Sequence, residues 1–294
     1  MKGGVGIILL LLIIVVVIGF LIYQYFKTPS VENNQTIYEK DIIVIDEYEV
    51  SDSIVYSGSS SILRFRIKNN GKETVEKVKL NFFDLGGFKS FELSCQKAEK
   101  KDSECIFYSL KAGESRDVEI ELFPPESVSE TLETRVSFSV EYDISRKVRA
   151  TIPIIDKSLL NKPLAKFSST QFGNGPVTFE FKLSETDFGE KGKPFKVEMI
   201  VKDVGTYENK QTVKIHAGNI VLVPYKISKT TPCPYFDDSY KSTKELLLNP
   251  SDSLYCFFKS EDFEGSELDA LLEATYNYTY TFFKTQSFKI KPMG

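Results

Sequence analysis

Beyond residue 40 the chain alternates apolar and polar positions with a period of two, and helical spacing is scarce. Leu63, Phe65 and Ile67 point one way while Arg64, Arg66 and Lys68 point the other. Val78, Leu80 and Phe82 repeat the pattern, and Val118, Ile120 and Leu122 alternate with Asp117, Glu119 and Glu121. Val136, Phe138, Val140 and Tyr142 make a further apolar face, and Val148, Ala150 and Ile152 another. With Ile42–Val50 this gives six or seven short strands before residue 156, each with one apolar face. Such strands suit a two-sheet antiparallel sandwich.

Lys157–Pro163 is polar and reads as a linker, after which the alternation resumes with Val177, Phe179, Phe181 and Leu183 facing in. Further strands are predicted at Phe195–Lys202, Thr212–His216, Asn219–Ile227, Leu254–Phe258, Leu271–Thr281 and Phe283–Ile290. The two halves read as a duplication. Ile67-Lys68-Asn69-Asn70-Gly71 corresponds to Val201-Lys202-Asp203-Val204-Gly205, Cys95 to Cys233, Leu110–Ser115 to Leu248–Ser253, and Tyr142 to Tyr276. The expected fold is therefore all-β, with two tandem immunoglobulin-like antiparallel β-sandwiches, 41–156 and 164–294, joined by the linker 157–163. Each half has enough inward residues for its own core, so the two are expected to unfold independently.

Ahead of the strands, Val5–Tyr23 is free of charge and mostly Ile, Leu and Val. As a helix it spans about 28 Å, close to the hydrocarbon thickness of a bilayer. Three readings compete for it. A cleaved signal peptide wants a shorter apolar core and small residues at its end, whereas Phe20, Tyr23, Tyr25 and Phe26 stand here. Lys2-Gly3-Gly4 is similar to a prepilin-type leader, yet the Glu usual early in such a helix is missing. The preferred reading is an uncleaved signal-anchor, residues 1–27, followed by a polar stalk, 28–40. Lys2 at the short end keeps the N-terminus cytoplasmic and sends the rest of the chain outside the cell. Membrane lipid is thus one expected partner, in a single-pass cell-membrane protein.

Composition narrows the chemistry. The net charge of −4 shows no basic excess, which excludes a nucleic-acid partner. One His and no Trp remove most His-based catalysis and multi-His metal sites. His216 has no triad argued around it, and Leu85-Gly86-Gly87-Phe88 is a turn without the Lys-Ser/Thr of a phosphate loop. Asp237-Asp238 and the acidic residues from Glu261 to Asp269 lack EF-hand spacing and read as solvated loops. Tyr276, Tyr278, Tyr280 and Phe282 read as the core face of a strand, not as a carbohydrate platform. No catalytic residue, cofactor or metal is expected.

The four cysteines, Cys95, Cys105, Cys233 and Cys256, fall two per half and outside any C-x-x-C motif. In an oxidising exterior they pair, and of three connectivities only Cys95–Cys105 with Cys233–Cys256 keeps each bridge inside one half. Four free thiols in a reducing setting are the alternative. Two N-x-S/T sequons, at Asn34 and Asn277, are candidate glycosylation sites.

The run Tyr56-Ser57-Gly58-Ser59 through Ile67-Lys68-Asn69-Asn70-Gly71, then Leu110-Lys111-Ala112-Gly113-Glu114-Ser115, resembles the CARDB group of immunoglobulin-like domains. That group is common on archaeal and bacterial surface proteins. The likeness covers most of the first half; the second keeps the Lys202–Gly205 turn but has Ser251 at the position of Gly113. The resemblance implies a seven-strand sandwich used for adhesion or spacing, and no catalytic residue. The expected function is a non-enzymatic, membrane-anchored surface protein that meets a protein or glycan partner. The alternative is a pilin-like or accessory subunit of a surface appendage or secretion complex.

Overall fold

The computed structural model describes residues 40–156, 158, 166–184 and 186–293. The anchor 1–27, the stalk up to residue 39 with its sequon at Asn34, and the linker apart from Ser158 lie outside these residues. Among the described residues no helix is long and apolar enough to cross a membrane.

The described chain is all-β. The first half supplies β1 (Ile43–Val50), β2 (Ile54–Tyr56), β3 (Ser61–Asn69), β4 (Val75–Asp84), β5 (Ser90–Cys95), β6 (Glu99–Lys101), β7 (Glu104–Leu110), β8 (Ser115–Phe123) and β9 (Leu132–Ile155). The second supplies β10 (Ser168–Phe172), β11 (Val177–Leu183), β12 (Gly189–Glu190), β13 (Phe195–Asp203), β14 (Val213–Ile215), β15 (Ile220–Tyr225), β16 (Ile227–Thr230), β17 (Leu246–Leu248), β18 (Ser251–Ser260) and β19 (Glu267–Lys291).

Each half builds one four-stranded antiparallel sheet, in the order β1-β3-β8-β5 in the first and β11-β13-β18-β16 in the second. Both pack against one nine-stranded sheet whose main path is β15-β19-β9-β4-β7-β6. At the first-half end Phe65 of β3 stacks on Phe138 of β9, 4.8 Å between centroids. At the second-half end Phe179 of β11 meets Tyr276 of β19 at 5.1 Å. The large sheet is mixed, because β2 runs parallel to β19 and β12 parallel to β9.

The two halves have matching sheets and a similar turn. Gly71 N–H donates to Asn69 Oδ1 at 2.9 Å, and Gly205 N–H donates to Asp203 Oδ1 at 3.0 Å. In both halves a short Asx side chain closes the loop after the second core strand.

The structure departs from the sequence reading at the long strands. The apolar runs at Val136–Tyr142 and Val148–Ile152, predicted as two strands, are one strand, β9. Leu271–Thr281 and Phe283–Ile290 likewise merge into β19. β9 and β19 then pair antiparallel from Leu132↔Ile290 to Ile155↔Glu267, through 24 positions and about 80 Å of strand. The first part of β9 and the last part of β19 close the first half; the remaining parts close the second. Residues 39–294 form one compact unit with one contiguous buried cluster. This pairing runs against the expectation of independently unfolding sandwiches, because each half borrows part of a strand from the other.

Two disulfides are formed, Cys95–Cys105 and Cys233–Cys256, one in each half. Cys105 and Cys256 are fully buried. Replacing both cysteines of either pair by alanine is expected to cost about 2–4 kcal/mol. The measurement is a lower denaturant midpoint for each double variant, and non-reducing peptide mapping of the parent should return the same two pairs.

Candidate functional site

Where the halves meet, the outer face of the nine-stranded sheet carries a groove of about 680 Å³. Its position follows from the strands. β4 pairs with β9 only as far as Tyr142, and β10 takes over at Lys147, so β9 runs between them across the seam. On the other side β15 pairs with β19 only as far as Tyr276. The floor is therefore made by outward-facing residues of the two long strands: Glu141, Asp143 and Ser145 on β9, and Asn277, Thr279 and Thr281 on β19.

The loop before β4 and the start of that strand supply one wall, with Glu73, Thr74 and Glu76. The segment from Gln211 to Asn219 supplies the other, with Lys214 and His216. One wall and the adjoining floor are thus anionic, while the far side offers amides and a cation. Thr279 Oγ1 donates to Asp143 Oδ1 at 2.6 Å across the seam, and Ser109 Oγ donates to Glu76 Oε2 at 3.1 Å. Both donors are neutral, so they orient these carboxylates without cancelling their charge. His216 Nδ1 lies 2.8 Å from Glu245 Oε2 on the exposed surface, which gives the only histidine a local hydrogen-bond partner.

Buried groups line the groove from the core side, Arg146, Ile42 and Tyr278 among them. Arg146, 8% exposed, donates from Nε to Asn174 O at 2.6 Å and from Nη1 to Ser145 O at 2.8 Å and Glu73 Oε2 at 2.7 Å. It ties the wall loop, β9 and the start of the second half together. Ile42 is buried beside it. Tyr278 also lines the groove; it is 3% exposed, and its hydroxyl makes no hydrogen bond among the described residues. Burial pushes that hydroxyl well above the ordinary tyrosine pKa. Replacing Arg146 by Met keeps much of its bulk but leaves two carbonyls without their donor. The expected loss is about 2–3 kcal/mol, checked by denaturant unfolding.

The sequon residue Asn277 is exposed on the floor of this groove, so a glycan there would fill it; the second sequon, Asn34, lies outside the described residues. Tyr276, Tyr280 and Phe282 are fully buried, in the core. Asp237 caps a turn, its Oδ1 accepting from the backbone of Ser239 and Lys241 at 2.9 Å each. Among the described residues no three His, Cys, Asp or Glu side chains converge as a metal site requires. Sequence reasoning missed Glu141, Asp143, Thr279 and Lys214. Their only signal was an outward position on a strand, which any solvated face shares.

No protein-family model matches the chain, and no curated protein matches it. Among solved structures, the collagen-binding subdomain of the Enterococcus faecalis surface protein ACE is 10% identical over 43% of this chain and 93% of that one, with a TM-score of 0.21. BcpA, the major pilin subunit of Bacillus cereus, is 8% identical over 74% and 67%, with a TM-score of 0.26. AvmM, which catalyses macrocyclization in alchivemycin A biosynthesis, is 10% identical over 47% and 95%, with a TM-score of 0.24. Likenesses this weak carry no argument about the function of this chain.

Proposed function

We propose that this chain is a non-enzymatic, membrane-anchored protein of the cell exterior, built of two immunoglobulin-like halves, that binds a surface partner in the groove at their seam. The observation that carries the reading is the groove itself. Side chains from both halves converge there on one concavity, which a spacer would not need. The pair of disulfides supports export, because such bridges persist in oxidising compartments. The charge-free stretch Val5–Tyr23 supports anchoring.

A photo-crosslinking residue at Asn277, used in intact cells, tests both parts of the reading. The expected result is a protein or glycan adduct that protease added outside the cell removes. The same residue placed at Glu261, on an exposed loop, should give none. An adduct protected until the membrane is opened would overturn the exterior placement. Equal yields at Asn277 and Glu261 would overturn the groove as the binding site.

A further inference from the structure

Resting on that reading of the groove, we infer that its ligand is a basic segment of extended polypeptide, whose Lys or Arg side chains lie against Glu76, Glu141 and Asp143.

The charge balance comes first. Glu73 is taken up by Arg146. That leaves Glu76, Glu141 and Asp143 facing the groove with Lys214 as the cation on the opposite wall. Lys79, beside Glu141 in register, is committed to Glu104 at 2.7 Å. Lys147, on the next outward position of β9, pairs with Glu273 at 3.6 Å. Of the neighbouring cations Lys79 and Lys147 are thus paired, and the carboxylates of Glu76 and Asp143 keep one oxygen each without a hydrogen-bonded partner. An anionic ligand would meet net repulsion here, and a cationic one is drawn in and oriented.

Shape comes second. From Glu76 on β4 across β9 and β19 to the β15 side, the floor crosses three inter-strand spacings, about 14 Å. Four residues of extended chain cover that distance. The exposed floor is polar, and the one aromatic in the lining, Tyr278, is a buried core residue without an exposed ring face. A sugar would lack the stacking surface that carbohydrate sites use.

The experiment uses the full chain in detergent and a fluorescein-labelled octapeptide of alternating Lys and Gly. Its Glu–Gly counterpart and labelled chitotetraose are the comparison probes. The Lys–Gly peptide is expected to bind and the Glu–Gly peptide not to. Joint replacement of Glu141→Gln and Asp143→Asn should weaken Lys–Gly binding at least tenfold. Lys214→Ala should tighten it two- to fivefold, and Glu261→Gln with Glu264→Gln, on an exposed loop, should leave it unchanged. The altered residues are exposed, and near-ultraviolet circular dichroism of each variant confirms the fold.

Lys–Gly binding insensitive to the Glu141/Asp143 pair would overturn the inference, as would its absence. If chitotetraose binds instead and Asp143→Asn abolishes that binding, the ligand class falls while the groove stands. If no probe responds to the groove variants and the Asn277 crosslinker also captures nothing, the groove reading falls with it.

Discussion

Between about pH 10 and pH 12 the protein is expected to unfold in one steep step. Tyr142, Tyr276, Tyr278 and Tyr280 are buried around the seam, at 1%, 0%, 3% and 0% exposure. Burial raises the pKa of each above the ordinary tyrosine value of 10.0. A phenol whose folded pKa is raised keeps its proton in the native state while the unfolded chain loses it. Stability is therefore complete below the unfolded pKa and is lost as pH rises through it toward the folded value. Each such group contributes a slope of about 1.4 kcal/mol per pH unit, so four give about 5 kcal/mol per unit once the unfolded phenols are ionised. That slope exhausts an ordinary folding free energy within two or three units. Tyrosinate absorbance and circular dichroism should change together. Gradual ionisation of all the phenols ahead of any loss of structure would show that the seam tyrosines are open to water.

Phe65→Ala is expected to lower the unfolding temperature of the whole described unit, not of its first half alone. Phe65 is 2% exposed and packs between Phe138, Phe82 and Tyr48. Removing a ring so placed costs about 3–5 kcal/mol. Phe138 lies on β9, whose other end forms part of the second half's sheet, so the loss is shared. Calorimetry should show one transition that moves down as a unit. Two transitions, of which one stays fixed, would mean that the β9–β19 pair parts without disturbing the second core.

That coupling was partly written in the chain. From Val136 to Ile154 the inward positions keep one parity without a break, passing through Ile144 and Arg146, and no Gly or Pro stands between Leu132 and Ile152. A turn there would have to form without Gly or Pro, the residues that most readily set its backbone angles. The same holds from Glu267 to Lys291. Arg146 obscured the first case, because a charged residue at an inward position imitates a strand end. Phe283 obscured the second by adding an apolar residue on the outward side, next to Lys284. Alternation told which face each residue takes, but it could not tell which strand lies alongside. The partner of Leu132 is Ile290, and nothing local marks it. β5 was illegible for another reason: of its six residues only Leu93 is buried, so its pattern is that of a loop. The cysteine bridges were legible because two fell in each half. The groove was not, because Glu141, Asp143 and Thr279 are what any wetted strand face carries. Asn277 was found only through its sequon.

The sharing of β19 also sets an order of events during synthesis. The first half cannot be completed when its own last residue has been made. Its missing strand, the stretch that pairs with Leu132–Asp143, belongs to β19 and is made only after the other strands of the second half. At ordinary elongation rates the interval is on the order of ten to thirty seconds. Throughout it the β9 edge is an unpaired template, open to wrong partners and to other growing chains. Whatever attends the growing chain must therefore keep that one edge covered until β19 has been made.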